Sequence, residues 1–345
     1  MKELPMRTAV KTRRAATHER VRELPETMRA AAIDAFGGPD ALSIHSLPVP
    51  VPAADEVLIA TNTAGVGQWD ADMREGWSPT GRRPRFPLVL GTDGSDTIAA
   101  VGARIRRFTV GDPVYAASFP NPFERGGHRR WGASSGFYAE YVAVSAEGVA
   151  HLPKGLDLEH AGAMIPGLTA LQGIDDALEL QRGEAVVIHG ASGGVGTFAV
   201  QFAKLRGASV FASASGADGV ALALRLGADM AVDGKDGDVE KAARSFAPGG
   251  FDAALIFAGG PAQKTILDLV RAGGRVAYPD GVEPTPRKRR GLRVRAYEGV
   301  VGVREFQRLN RAVEAAGLEV PIAARQGPRA AGRRARAGQD RAADR

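Results

Sequence analysis

The sequence predicts an α/β protein of two lobes, an all-β lobe followed by a doubly wound lobe on a parallel sheet. Three observations predict it. A chain of 345 residues is longer than a single hydrophobic core usually supports. Its first half is written in short, alternating apolar runs separated by turn residues, and its second half repeats strand then helix in series.

The elements follow in order. Residues 1–27, MKELPMRTAVKTRRAATHERVRELPET, contain no apolar h-region, and their charges match no core-facing stripe. They are expected to be a disordered extension, with Met28 as the natural beginning; four Glu argue against an organelle-targeting peptide. From Met28 the runs MRAAAIDAF, ALSIHSLPVP, DEVLIATNTAGVG, DTIAAVG, DPVYAA and GFYAEYVAV predict the strands of the all-β lobe, over 28–152. Pro48, Pro50 and Pro52 mark an edge or a connection there.

A largely helical passage, HLPKGLDLEHAGAMIPGLTALQGIDDAL, opens the second lobe, assigned to 153–284. EAVVIHG then leads to GTFAVQFAKLRG, ASVFASAS to GVALALRLG, MAVDG to VEKAARSFA and DAALIFAG to QKTILDLVRAG, and GRVAYPDG closes the series. Strands alternating with helices of this length mean βαβ units. Residues 285–325 offer one more strand, one helix and a short extended piece. Residues 326–345 contain no Val, Ile, Leu or aromatic residue and are expected to be a disordered basic tail.

Composition narrows the function classes. The absence of cysteine removes disulfides, thiol nucleophiles, iron–sulfur clusters and cysteine-ligated zinc. Of the formal charge of +6, residues 1–27 carry +3 and residues 326–345 carry +4, which leaves the body at −1. A body without net positive charge argues against a specific nucleic-acid partner. No apolar run approaches the length of a membrane span, and a cytoplasmic protein is expected.

The stretch VVIHGASGGVG, residues 186–196, carries the chemistry. VVIHG reads as a buried strand and TFAVQFAKLRG as an amphipathic helix ending at the cap Gly207, so residues 191–196 form the turn between them. The turn fits a phosphate-binding fingerprint. Ala191 takes the first glycine's place, Gly193 stands where backbone must approach a pyrophosphate, and Gly196 where helix packs on strand. Ser192, Gly193, Gly194 and Val195 then bring free N–H groups to the phosphates at the helix N-terminus. A glycine-rich turn alone also occurs in plain loops; its setting inside repeated βαβ units makes it a dinucleotide site. The next strand, ASVFASAS, ends in Ser213 and Ser215 where NAD-binding proteins place a carboxylate, and no acid appears before Asp218. NADP(H) is therefore favoured over NAD(H), although Arg225, the nearest cation along this segment, is two turns into the helix.

PLVLGTDGSDTIAAVG with VGDPVYA, GFYAEYVAV, AGAMIPGLTALQGI, VVIHGASGGVGTFAVQFAK and LRLGADMAVD, in this order, resemble the medium-chain dehydrogenase/reductases, and within them the zinc-free quinone oxidoreductase branch that includes zeta-crystallin. The resemblance covers about residues 28–325. It implies a GroES-like β-barrel catalytic lobe, completed by residues 285–325, and a Rossmann cofactor lobe, with a cleft between them. It places the nicotinamide near Phe257, Ala258 and Gly259 and near Tyr278 and Pro279, with Thr169 on the same side of the cofactor. It turns Trp69, Asp72 and Trp77, in GVGQWDADMREGW, toward substrate, and it suggests a homodimer through the cofactor lobes.

Zinc-dependent members carry a histidine in the segment matching GTD, where this chain has Thr92, and a cysteine ahead of it. The six histidines, at 18, 45, 128, 151, 160 and 189, are scattered and read as surface or packing residues, so no metal is expected. The implied reaction is direct hydride transfer from NADPH to a quinone, or alternatively to an enone carbon, with a cofactor-binding protein of little turnover as the third reading. No catalytic acid is assigned. Asp72 reads equally well as a solvated loop carboxylate, and Tyr138 as structural. Relatives continue past VPIAAR with an apolar-striped helix and a closing strand. Arg, Ala, Gly and Pro are what GC-rich DNA encodes out of frame, so the tail is expected to reflect a frameshift.

Overall fold

A computed structural model describes residues 24–77, 84–117, 136–235 and 237–322. The extension expected over 1–27 falls mostly outside these residues, and the tail expected over 326–345 falls wholly outside them.

The first lobe is antiparallel β. Strands β1 (Thr27–Ile33), β2 (Leu42–Pro48) and β4 (Leu88–Val89) form a small sheet in the order β2-β1-β4. Pro48 ends the edge strand β2, where a missing N–H costs no ladder bond. A second sheet runs β7-β3-β5-β6-β8, from β3 (Glu56–Ala64), β5 (Asp93–Val101), β6 (Pro113–Ala117), β7 (Tyr141–Ser145) and β8 (Val149–His151). It curls around Val57, Ile59, Ile98, Phe108, Val114 and Val142, all buried. The short helix α1 (Gln68–Arg74) leaves β3 and carries the loop of Trp69 and Asp72.

Two short helices, α2 (Leu158–Ala161) and α3 (Pro166–Gln172), lead into the second lobe. Six strands there are all parallel: β9 (Ala185–His189), β10 (Ser209–Ala214), β11 (Met230–Asp233), β12 (Phe251–Ile256), β13 (Val270–Pro279) and β14 (Arg293–Tyr297). Their order, β11-β10-β9-β12-β13-β14, is the 3-2-1-4-5-6 arrangement of two mononucleotide-binding halves, and the reversal falls between β9 and β12. Alternation along β9 shows why helices cover both faces. Val186 and Ile188 enter one core with Phe198 and Phe202, whereas Val187 enters the other with Phe211, Phe251 and Ile266. The connecting helices are α4 (Gly194–Leu205), α5 (Gly216–Arg225), α6 (Val239–Phe246) and α7 (Pro261–Asp268).

Two placements depart from the simplest reading of the sequence. QKTILDLVRAG, read as one helix, is helical only to Asp268, and Val270 already pairs with Phe251 as β13 begins. A β-branched residue just ahead of two glycines favours the strand. Of the segment 285–325, β14 pairs with β13 in the parallel sheet, whereas the helix α8 (Val303–Ala316) bridges the lobes. Phe306, Leu309 and Val313 line its buried face. Phe306 meets Tyr115 of β6 edge to face at 5.3 Å, and the Tyr115 hydroxyl donates to Asn310 Oδ1 at 2.7 Å. Leu309 joins the core of the cofactor lobe.

Candidate functional site

The glycine turn lies where the sheet order reverses. Gly190, at φ +82°, turns the chain out of β9, and Gly193 caps α4 without a side-chain hydrogen bond. The first N–H groups of α4 are thus left for a ligand. Gly193 and Gly194 are exposed, whereas Gly196 is buried: a Cβ there would stand 2.7 Å from Ala191 Cα. One glycine is open to an incoming phosphate and another lets the helix close on the strand. Ala191, fully buried, donates its N–H to Ser213 O at 3.0 Å. Ser192 Oγ accepts the Ser215 N–H at 3.2 Å and ties the turn to the end of β10. Val195 is half-buried in the first turn of α4 and packs toward the core.

The two serines of β10 part company. Ser213 is 1% exposed and its hydroxyl faces His189 Nδ1 at 3.2 Å, while His189 Nε2 faces Gly259 O at 3.3 Å. A carbonyl only accepts, so Nε2 carries the proton and the Ser213 hydroxyl donates to Nδ1. Burial pushes the His189 pKa down, which fits this neutral ring. Ser215 is exposed and caps α5, so its hydroxyl is the one at the surface. Arg225 is engaged elsewhere, in an ion pair with Glu319. The structure supplies another cation: Gly234 N–H donates to Ala214 O at 2.8 Å, so exposed Lys235 follows β11 where that strand's end adjoins the end of β10. It was missed because it belongs to a neighbouring strand.

The residues expected near the nicotinamide converge on the same strand ends. Phe257 N–H donates to His189 O at 2.9 Å, and Phe257 and Ala258 pack against Gly190. Gly259 faces Glu283 and Pro284 so closely that no side chain fits. Tyr278 and Pro279 end β13 opposite Ala296 and Tyr297 of β14. Thr169, on α3, accepts the Tyr297 hydroxyl at its carbonyl, at 3.0 Å. Pro166 at the start of α3 lies against Gly194. This set forms a cradle with an open helix N-terminus at its centre, which fits a dinucleotide.

The β lobe holds a second cluster. Trp69 and Trp77 meet edge to face at 5.0 Å and stay 41% and 43% exposed. Asp72 accepts from Gln68 Nε2 at 2.8 Å. These three residues share one helix and its exit. Behind them stands a buried carboxyl pair that sequence reading passed over. Asp70 accepts the N–H groups of Gly67 at 2.8 Å and of Gly91 and Thr92 at 3.1 Å each, and its pKa is nevertheless raised to about 6 by burial. Among the described residues the Asp93 carboxyl has only the Thr92 hydroxyl, which donates at 3.4 Å; burial and the Asp70 charge push it up to about 8. The Tyr138 hydroxyl is buried beside both carboxylates without a well-aligned hydrogen-bond partner. The pair was hidden because aspartates separated by 23 positions in sequence give no motif.

Among the described residues no three His, Asp or Glu side chains gather as metal ligands. Thr92 and Asp93, with no cysteine in the chain, are a poor donor set for zinc. No described helix is long and apolar enough to cross a membrane.

Comparison with known proteins agrees with both lobes. Residues 53–154 match the family model described as alcohol dehydrogenase GroES-like domain, and residues 194–285 that described as zinc-binding dehydrogenase. The chain is 30% identical over 302 residues to the quinone oxidoreductase of Sus scrofa, covering 85% of this chain and 87% of that protein. It is 32% identical over 252 residues to that of Lama guanicoe, 72% of each. The structure of the quinone oxidoreductase from Coxiella burnetii superposes with a TM-score of 0.77 at 24% identity, covering 91% of this chain and 96% of that one, a likeness of fold.

Proposed function

Because this chain belongs to the medium-chain dehydrogenase/reductases, in their quinone oxidoreductase branch, and is therefore a nicotinamide-dependent oxidoreductase, we propose that it reduces a quinone-type acceptor with NADPH and without a metal. The observation that carries the reading is the open N-terminus of α4 at the sheet reversal, with Gly193 exposed and Gly196 buried. When bound, the nicotinamide supplies the hydride.

The protein's own residues bind and orient. The N–H groups of residues 194–196 would hold a pyrophosphate, and Ser215 with Lys235 would offer a donor and a cation to a 2′-phosphate. His189, neutral and bonded on both sides, holds the Gly259 carbonyl and so fixes the loop expected to meet the nicotinamide. Trp69 and Trp77 present flat apolar surface suited to a planar ring. Reduction of an enone carbon is the second reading, since the same site would position either acceptor. A homodimer through the cofactor lobes is supported by β14, whose outer edge is unpaired among the described strands.

The test follows NADPH oxidation at the nicotinamide absorbance with 1,4-benzoquinone, 9,10-phenanthrenequinone and a simple enone, with NADH and an added chelator as controls. Faster turnover of quinones with NADPH, unchanged by the chelator, is expected. Cofactor oxidation that the chelator abolishes would refute the metal-free reading, and reduction of the enone alone would replace the quinone by the second reading.

A further inference from the structure

We propose that the Asp70–Asp93 pair, acting through the Thr92 hydroxyl, stores and delivers the proton that must accompany hydride in the reduction. The inference rests on the reductase reading and deepens it by naming a proton source.

The geometry separates the two carboxyls by role. Asp70 receives three backbone N–H groups, a setting that favours a carboxylate. Asp93, 6% exposed, receives one long hydroxyl bond, and its carboxyl fills the space that a Cβ on Gly65 would occupy. Two charges so placed are unfavourable, so the poorly solvated member keeps its proton. Beside Asp93 stand Asp70 of helix α1 and Tyr138 of the segment before β7, and Arg74 of α1 lies on the Tyr138 side of the pair. Arg74 does not neutralise the pair, because its Nε donates to Gly37 O at 3.1 Å and its Nη2 pairs with Glu75 at 2.7 Å. Its partners on the sheet, Gly65 beyond β3 and Ala117 of β6, carry no charge.

The pair also faces the right way. Residues 93 and 95 lie on one face of β5, and the Ser95 hydroxyl donates to Leu158 O in the connector to the cofactor lobe. Gly162 of that connector lies against Thr63 and Ser95. The Asp93 carboxyl therefore stands on the side of the sheet turned to the cofactor lobe.

The step balances. Hydride reaching the acceptor leaves it with one negative charge. The Thr92 hydroxyl turns its proton from Asp93 Oδ1 to the reduced acceptor and gives it up as the protonated Asp93 carboxyl gives its own to Thr92 Oγ1, so Asp93 ends as a carboxylate and Thr92 is unchanged. One proton taken up from solvent then restores the Asp93 carboxyl, favoured by the adjacent Asp70 charge. A hydroxyl both donates and accepts, which is why Thr92 can serve as the link.

The test begins without cofactor: the infrared band of a protonated carboxyl is followed from pH 5 to 9 in the wild type and in Asp93→Asn. One band that persists to a midpoint near pH 8 and is missing in Asp93→Asn is expected. With acceptor and NADPH, wild-type kcat should fall above the same midpoint. Asp93→Asn should lower kcat about 10²-fold and remove that limb, with KM for NADPH unchanged. Thr92→Val should lower kcat while the band remains, and Thr92→Ser should restore the rate. If Asp93→Asn does not fold, the wild-type band and the two Thr92 variants decide. Absence of the band at pH 7, or a Thr92→Val enzyme of wild-type rate, overturns the proposal. No turnover of any acceptor by the wild type overturns the reductase reading itself, whereas turnover without the limb overturns only the proton store.

Discussion

Substituting alanine at two glycines three residues apart should have opposite consequences. At Gly196 the new methyl would meet Ala191 Cα at 2.7 Å and Ala191 C at 2.8 Å, against about 3.5–4.0 Å for carbon contacts. Helix α4 must then retreat by about 1 Å from β9, and overpacking of that kind costs about 1–3 kcal/mol. The gain in helix propensity, about 1 kcal/mol, offsets only part of it. Gly190 O stands closer still to the new methyl, which puts the overpacking in the upper part of that range, and Gly196→Ala should lose about 1–2 kcal/mol of stability. At Gly193 the nearest atom to a new Cβ is Gly190 O at 3.4 Å, and φ −80°, ψ 168° suits any residue. Gly193→Ala should lose under about 1 kcal/mol, the loss of a favoured N-cap. Its methyl, however, stands on the exposed side of the turn where a pyrophosphate must approach, and NADPH affinity should fall at least about 10-fold, or 1.4 kcal/mol. Urea unfolding and a fluorescence titration with NADPH read the two quantities separately. Unchanged affinity in Gly193→Ala together with full stability in Gly196→Ala would refute the assignment of the turn.

Further outcomes follow from the same geometry. Lys235→Glu should reduce the preference for NADPH over NADH by about 10-fold or more, as a repulsive charge replaces an attractive one at the end of β11; the ratio of kcat/KM values measures it. Between the unfolded Asp pKa near 4 and the folded value of about 8, Asp93 binds a proton only in the native state. Stability should accordingly fall as pH rises from 5 to 7, by about 1.4 kcal/mol per unit for this one proton, and Asp93→Asn should flatten the slope of urea midpoints against pH. Phe306→Ala empties a fully buried site where α8 meets Tyr115 and should cost about 3–5 kcal/mol in thermal unfolding.

The parts of this protein that local chemistry dictates were legible in its sequence. VVIHG followed by a glycine turn and an amphipathic helix announces the strand–turn–helix unit that the structure shows, because periodicity and glycine placement are properties of a single segment. The helix that stops at Asp268 shows the limit of such reading, since pairing of Val270 with Phe251 is a tertiary event. The inward turn of Ser213 was equally hidden, because its partner His189 lies 24 positions away on the next strand. Lys235 and Asp93 gain their neighbours through β-strand order, and strand order is not written in any one motif. Trp69 and Trp77 were expected to face substrate; the edge-to-face contact that α1 and its exit give them was not read from the sequence.

The reversal between β9 and β12 is proposed to bind a nicotinamide dinucleotide through the open end of α4. Equilibrium titration of the wild-type protein with NADPH and with NADH, followed by nicotinamide fluorescence, tests it most directly. Saturable binding of one NADPH per chain, tighter than NADH and weakened by Gly193→Ala, is the predicted result. A folded protein that binds neither nucleotide would contradict the account.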